Sequence, residues 1–330
     1  MLRLCHHCAM RQGLDASNGM YLADGDSCYI CDGLMRRLDD IFALVEDAIK
    51  DYEFRSFLIG ATLPTRMIER EDEVRARLKV RGLESIKSNI TRELGMRLSA
   101  RGLRVDYERP DIDVHVDLIR MAVNVRARPI YLLATYRKSR RGLRQKGDEN
   151  SIESMVRGWL LRGFRASDAR FLWVGGEDRE SLVLNDGRPF FIKVVDAKRR
   201  YRYPDRFCGD GVEVTIVREV DGFPRQIRFV SRIRLHIAGS DPSMIGRVSA
   251  VRDVTVRFGE HGREVAKRMQ IIDAIYDSST GVLLLDLLVD GGFMVKRFAE
   301  GVDVEPSMHD LLGGGATLMY FDVLEVRMVN

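Results

Sequence analysis

The 330-residue sequence has no apolar run of the length, about 18 residues, that predicts a membrane-spanning helix. Its most apolar stretch, Val282 to Val289, is interrupted by Asp286. The N-terminal residues lack the apolar segment of a secretory signal, and no internal repeat or low-complexity tract occurs. We therefore expect a cytoplasmic protein without a membrane partner. Apolar residues make up 45% and charged residues 31%, a composition that supports a globular core and excludes global disorder.

The charge is nearly balanced, because 53 Lys and Arg face 49 Asp and Glu, for a net charge of +4. This total does not by itself indicate a nucleic-acid partner. The distribution is more informative, since cations and tyrosines cluster at 136–146 (YRKSRRGLRQK) and again at 198–206. Either segment alone could be a solvated basic loop. Two of them in one chain favour a surface that follows phosphates.

Cysteine is scarce, but four of the five cysteines form two C-x-x-C pairs with nineteen residues between Cys8 and Cys28. Two residues between thiolates allow one tight turn to present both sulfurs to a metal, and two such pairs complete a tetrahedral site. Disulfides are the weaker alternative in a cytosolic chain. His6 and His7 lie inside the first pair, and we interpret them as bystanders, the alternative being that one replaces a cysteine. The spacing predicts one structural zinc ion ligated by Cys5, Cys8, Cys28 and Cys31.

Hydrophobic periodicity predicts a compact α+β unit over about 38–135 and a strand-rich second half. Since few long helices separate the later strands, we expect a mixed, mostly antiparallel sheet there. The predicted helices are 38–50, 64–80, 84–98 and 150–161. The predicted strands are 54–60, 112–118, 121–125, 129–136, 213–220, 226–237, 251–258, 282–289 and 318–328.

Short segments along nearly the whole chain follow the order found in one family. They are Cys5-x-x-Cys8 with Cys28-x-x-Cys31-Asp32-Gly33, Tyr52-Glu53-Phe54 with Phe57-Leu58-Ile59-Gly60, Arg109-Pro110-Asp111, Pro129-Ile130-Tyr131 with Tyr136-Arg137-Lys138, Gly175-Gly176-Glu177-Asp178 with Gly187-Arg188-Pro189-Phe190, Gly291-Gly292 with Lys296, and Pro306-Ser307. Each piece is weak alone, but the ordered set resembles the archaeal-type tRNA pseudouridine(54/55) synthases.

This resemblance implies a domain organisation and an activity. It implies a four-cysteine zinc module at 1–37, a THUMP-like RNA-binding domain at 38–135 and a pseudouridine synthase domain at 136–330. The implied function is isomerisation of uridine in the tRNA T-arm, at position 54, 55 or both, without an organic cofactor. No heptad pattern or long apolar helix demands a dimer, so we expect a monomer.

The resemblance also implies the site residues. The family's catalytic carboxylate lies in a Gly-Arg-Glu-Asp stretch upstream of Gly-x-Gly-Arg-Pro-Phe, which maps without gaps onto this chain and makes Asp178 the catalytic aspartate. Lys296 would pair with Asp178 and hold it ionised. The remaining predicted substrate contacts are tRNA phosphate ligands in the basic segment and residues near the uridine: Arg137, Lys138, Arg140, Arg141, Arg144, Arg188, Phe293 and Met294.

Several positions depart from the family pattern. Gly176 replaces an Arg, Met294 replaces a Tyr, and the Tyr that stacks on the target base maps near Ile233-Arg234. Its role could pass to one of four other aromatic residues: Tyr201, Tyr203, Tyr276 or Phe293. The departures favour an alternative, a catalytically reduced relative that binds or refolds tRNA. A THUMP-containing methyltransferase is disfavoured, because no glycine-rich strand-to-helix loop for a nucleotide cofactor occurs.

Overall fold

A computed structural model describes residues 3–14, 27–147, 149–260 and 263–329. The described residues up to Pro129, together with Val195–Arg202, form one compact unit, and Ile130–Val194 with the residues from Tyr203 onward form a second. Among these residues, no helix has both the length and the apolar character that a membrane span requires. The domain limits at 37 and 135 stay predictions.

The first unit packs helices on a four-stranded sheet with strand order β2-β1-β3-β4. Strand β1 is parallel to β2 and β3, and β3 is antiparallel to β4. A 3-10 turn, Leu34–Arg37, leads into the second helix. The helices are α1 (His6–Arg11), α2 (Leu38–Ile49), α3 (Thr65–Leu78) and α4 (Ile86–Ser99), and the strands are β1 (Ser56–Thr62), β2 (Arg104–Val105), β3 (Ile112–Asp117) and β4 (Ala122–Ala127).

The periodicity of the sequence accounts for these elements. Strand β3 alternates buried and exposed residues, so that Ile112, Val114 and Val116 all face the core. Helix α4 begins where the Ser85 hydroxyl accepts a hydrogen bond from the Ser88 N–H at 3.1 Å. The four paired cysteines belong to the same buried cluster, so the cysteine-rich segment and the sheet share one core.

The second unit is built on an eleven-stranded sheet, and along its principal order every neighbouring pair is antiparallel except β7 with β15, which is parallel. The principal strand order is β14-β11-β12-β13-β10-β15-β7-β5-β9-β8, and β6 also pairs with β7. This confirms the predicted α+β class and mostly antiparallel sheet. The helices are α5 (Ile152–Phe164), α6 (Ser243–Ser249), α7 (Val295–Glu300) and α8 (Met308–Leu312). The strands are β5 (Ile130–Lys138), β6 (Asp168–Trp173), β7 (Val183–Val195), β8 (Arg206–Gly209), β9 (Val212–Val220), β10 (Arg228–Ala238), β11 (Asp253–Glu260), β12 (Arg263–Asp277), β13 (Val282–Asp290), β14 (Val304–Glu305) and β15 (Thr317–Val329).

Strand β10 gives the sheet two different faces. Ser231 and Ile233 point to the face that carries a cavity, together with residues of the segment after β13. On the opposite face, Arg232 and Arg234 bind the buried carboxylate of Asp286 at 2.8 and 2.6 Å. The residue at the mapped position of the family's stacking tyrosine, Ile233, therefore faces the cavity, and its neighbour Arg234 faces away.

Candidate active site

A cavity of about 450 Å³ opens on the apolar face of the large sheet. Its walls come from the loop between β6 and β7, the start of β10, the segment from the end of β13 into α7, and one residue each of β7 and β15, Arg188 and Phe321. It brings together five residues that the resemblance implied, namely Asp178, Arg188, Phe293, Met294 and Lys296. A volume of this size lies in the range of small-ligand sites.

Asp178 is partly buried at the cavity wall and forms an ion pair with Lys296. Its other carboxylate oxygen, Oδ1, accepts the main-chain N–H of Arg179 at 2.7 Å. Burial alone would raise the pKa of Asp178, but hydrogen bonds from Lys296 and Arg179, with the charges of Lys296 and Lys138, outweigh it and lower that pKa. The carboxylate is therefore an anion at neutral pH.

Phe229 is a cavity residue that the sequence interpretation did not single out. Two glycines pack against its ring: a Cβ on Gly175 would lie 2.9 Å from Phe229 Cζ, and one on Gly291 would lie 2.7 Å from Cε1. Gly175 also has a φ of 76°, which other residues rarely adopt. Phe229, Ser231 and Ile233 alternate along β10 and so share one face of the strand. This alternation could have identified Phe229 from the sequence.

Among the four aromatic residues considered for the stacking role, Phe293 lines the cavity. Tyr201 lies in the first unit, where its hydroxyl donates to Asp111 at 2.6 Å. The ring of Tyr203 stacks in the second unit on a phenylalanine of α5, with ring centroids 4.2 Å apart. Tyr276 lies on β12 beside the strand end at 282–283 and outside the residues that line the cavity.

Lys138 corrects one prediction about the basic segment. Its side chain is fully buried, and its ammonium group donates to the carbonyls of Leu143, Arg179 and Asp178 at 2.7, 3.0 and 3.1 Å. Burial lowers the pKa of Lys138. The prediction that Lys138 contacts a phosphate is wrong, because its donors face main-chain carbonyls inside the protein.

The four arginines of the same segment divide into two kinds. Arg137 forms an ion pair with a glutamate of β9 at 2.6 Å. Arg141 binds Asp322 through two hydrogen bonds of 2.6 and 2.9 Å. Arg140 and Arg144 are exposed and, with Arg179, line a second cavity of about 470 Å³. The geometry thus adds Arg179 to the group, while all these phosphate contacts stay predictions.

Arg188 is 3% exposed, although it lies in the wall of the first cavity. Its Nε atom is 3.5 Å from the buried carboxylate of Glu177, so the guanidinium is committed to an internal ion pair. Gly176 and Met294, the two departures from the family pattern, both line the cavity. The proposed substrate contact of Arg188 stays a prediction.

The four paired cysteines form a buried cluster whose sulfur atoms all lie within 4.8 Å of one another. None is in a disulfide, and the Cys5 and Cys31 sulfurs are 3.7 Å apart. Such a set of thiols could hold a metal ion. His6 and His7 are exposed and lie outside the cluster, consistent with bystanders. The Arg11 guanidinium donates to the Cys8 sulfur at 3.5 Å.

Comparison with known proteins adds independent information. The family model "Pus10 THUMP domain, archaeal" matches residues 42–117, which extend from α2 to β3. The chain is 32% identical to the tRNA pseudouridine synthase Pus10 of Cenarchaeum symbiosum, covering 91% of this chain and 81% of that protein. It is 26% identical to the protein of the same name from Nitrosopumilus maritimus, over 98% and 95% of the two chains. The relative from Caldivirga maquilingensis is 30% identical over 91% and 78%.

Proposed function

Since this chain belongs to the Pus10 family of tRNA pseudouridine synthases, we propose that it isomerises uridine of the tRNA T-arm, at position 54, 55 or both, with Asp178 as the catalytic carboxylate. The observation that carries the proposal is the position of Asp178, an anion paired with Lys296 at the wall of a cavity of about 450 Å³. The action on uridine in tRNA follows from the family, whereas the T-arm and the residue roles are our proposals.

The reaction is an isomerisation in which no atom is gained or lost. The bond from C1′ of the ribose to N1 of uracil breaks, the base rotates, and a bond from C1′ to C5 forms. C5 then loses a proton while N1 gains one. Asp178 can serve this sequence as the nucleophile or as the stabilising base, because its carboxylate stays ionised. The base must be flipped out of the RNA to reach the site.

Aromatic rings beside Asp178 suit such a flipped base. Phe229 and Phe293 line the same cavity. Phe229 is fixed between Gly175 and Gly291, so its ring can present an apolar surface without reorganising. We propose that these two phenylalanines take over the stacking role of the family's tyrosines.

For the cysteine cluster we propose a structural zinc ion. Four sulfurs at about 2.3 Å from a tetrahedral zinc lie about 3.8 Å apart, which agrees with the 3.7 Å between Cys5 and Cys31. A disulfide would require about 2.05 Å. Zinc held by four thiolates has no free coordination position, so it would stabilise the first unit and take no part in the isomerisation.

For tRNA binding we propose that phosphates contact the exposed arginines of the second cavity, Arg140, Arg144 and Arg179. These cations border the loop that carries Asp178, so a phosphate there would lie near the flipped nucleotide. Arg179 pairs with Glu180 at 3.4 Å, but both side chains are exposed, whereas Arg137 and Arg141 would have to leave more buried carboxylate partners. A monomeric state, a cytoplasmic location and the domain limits 1–37, 38–135 and 136–330 stay predictions from the sequence.

The proposal is tested by mass-based detection of pseudouridine in a tRNA transcript. We expect the wild-type protein to form it and Asp178→Asn to form none, while the variant binds tRNA with nearly unchanged affinity. Asparagine keeps the size and hydrogen bonding but cannot act as an anion, and the partly exposed position leaves the core intact. Wild-type turnover by Asp178→Asn would show that the site is assigned wrongly.

A second candidate function is tRNA binding or refolding without modification, favoured by Met294 at the cavity wall where the family pattern has a tyrosine. Met294→Tyr separates the two candidates. If the missing ring limits the enzyme, the variant should isomerise faster than wild type at equal tRNA affinity. Tight tRNA binding without pseudouridine, in both wild type and Met294→Tyr, would establish the second function.

A further inference from the structure

The loop that carries Asp178 is anchored to strand β5 by hydrogen bonds from side chains of that strand. Residues 174–182, between β6 and β7, lie outside any helix or strand, so no sheet ladder fixes their main chain. Two consecutive inward-facing residues of β5, Tyr136 and Lys138, instead reach two consecutive residues of the loop, Glu177 and Asp178. Both β5 side chains are almost completely buried.

Lys138 makes the larger number of these contacts. An ammonium group has three donor hydrogens, and here three main-chain carbonyls surround it. Two of them belong to the catalytic loop, at Asp178 and Arg179, and the third belongs to Leu143 in the basic segment. One side chain therefore ties the loop that carries the carboxylate both to β5 and to the basic segment.

Tyr136 holds the neighbouring part of the loop. Its hydroxyl donates to the Glu177 carboxylate at 2.5 Å, and Gln145 donates to the Tyr136 oxygen at 2.8 Å and to the Gly175 carbonyl at 3.3 Å. The Glu177 side chain has no exposed surface. Burial makes these hydrogen bonds costly to break, because a buried polar group that loses its partner has no water to replace it.

We propose that Lys138 is a positioning residue for the isomerisation, whose ammonium group fixes the main chain at Asp178 and Arg179 so that the Asp178 carboxylate faces the cavity. The proposal rests on the proposed function of Asp178. It assigns to Lys138 a role inside the protein, where its three protons are engaged, in place of a contact with RNA.

The test compares Lys138→Met with wild type and with a matched control, Arg247→Met. Methionine keeps the length of the side chain but donates no hydrogen bond. Arg247 also donates to a main-chain carbonyl of the second unit, that of Leu312 at 2.9 Å, and does not line the cavity. Lys138→Gln, which keeps two donors, is a milder second variant. Melting temperatures establish the range in which every variant is folded.

Three measurements are made on the folded proteins: the single-turnover rate of pseudouridine formation with saturating enzyme, the Kd for tRNA as a function of salt, and hydrogen exchange of the loop peptide. For Lys138→Met we expect a rate about 100-fold lower, since a displacement of about 1 Å costs roughly that much. The Kd and its salt slope should stay unchanged. Exchange should rise at 175–182, where Ser181 N–H donates to Asp178 O. Lys138→Gln should lose less, and Arg247→Met should match wild type.

Two outcomes would overturn the proposal. One is a folded Lys138→Met that keeps the wild-type single-turnover rate. The other is a salt slope lower by about 0.7–0.9, the signature of one lost phosphate contact. If wild type forms no pseudouridine, the proposed function fails, but loop exchange still reports on Lys138: unchanged protection in both Lys138 variants would refute the positioning role separately.

Discussion

Lys296 stabilises the negative charge of Asp178, because it donates to this carboxylate and lowers the pKa that burial would otherwise raise. Lys296→Met removes the strongest contribution that lowers the pKa of Asp178, so that pKa rises. A carboxylate that must be ionised loses activity as the pH falls through its pKa. We therefore expect the acid limb of the pH–rate profile to move to higher pH.

The measurement is the single-turnover rate of pseudouridine formation as a function of pH. Lys50→Met is the control, because Lys50 pairs with Asp47 at 2.6 Å on an exposed helix face and should leave the profile unchanged. An acid limb that stays at the wild-type pH in Lys296→Met would contradict the dependence of Asp178 on this lysine.

At the level of single residues, the sequence indicated candidate site residues but not whether each side chain points into the protein or toward solvent. Asp178, Lys296, Phe293 and Met294 line one cavity, while the roles that the resemblance implied for them stay predictions. Lys138 was predicted to contact a phosphate because it is one of six cations in the basic segment. A count of charges does not take into account that side chains alternate between the two faces of β5. Extending the predicted strand 129–136 by two residues turns Lys138 inward and Arg137 outward, as the structure has them.

The arginines of the basic segment 136–146, which begins within β5, have two different surroundings in the structure. Arg140 and Arg144 reach the second cavity with Arg179, whereas Arg137 and Arg141 are bound to carboxylates. Replacing Arg140, Arg144 and Arg179 by Ala should therefore weaken tRNA binding and lower the slope of log K against log salt. Three lost phosphate contacts would change it by about 2–3, at about 0.7–0.9 each.

Binding titrations at several salt concentrations check this expectation. The control is a triple Ala variant with the same loss of charge at Arg257, Arg268 and Arg327, each exposed and paired with an acidic residue. An equal change of slope in both triple variants would mean that net charge, and not the second cavity, decides binding.

Strand β7 shows why some elements escaped prediction. Its residues Asn185, Asp186 and Gly187 are typical of a turn, yet they lie within a strand of the large sheet. Asn185 and Gly187 have φ angles of 49° and 78°, and a Cβ on Gly187 would lie 2.5 Å from the Tyr136 carbonyl oxygen. These residues do adopt turn-like backbone angles, but β7 continues on both sides of them. In its pairing with β5 they form an irregularity within the strand and do not end it.

On the scale of the whole molecule, the cysteine cluster is part of the core of the first unit. Arg11 links the Cys8 sulfur to Glu71 of α3, and Glu71 also accepts the N–H of Ile86 at 3.0 Å. All of these groups are buried. If the proposed zinc ion is bound here, its removal should disturb the thiolates and the Arg11–Glu71 ion pair together. We therefore expect the loss of stability to extend to the helices that carry these residues.

We expect one zinc per chain by elemental analysis and a lower melting temperature of the first unit after chelation, recovered when zinc returns. Cys8→Ser should reproduce the loss. Cys208→Ser is the control, because Cys208 is exposed and lies outside the cluster. Metal-free protein that melts at the original temperature would contradict a structural role.

Strand β15 occupies the centre of the large sheet although it is the last strand of the described chain. It lies between β10 and β7, and its Asp322 accepts the Leu182 N–H and binds Arg141 beside the loop that carries Asp178. On the ribosome, both halves of the sheet therefore emerge before the strand that joins them. Until then the facing edges of β7 and β10 are open to pairing with other chains. The large sheet, and with it the cavity that Asp178 lines, is therefore completed only after β15 has emerged.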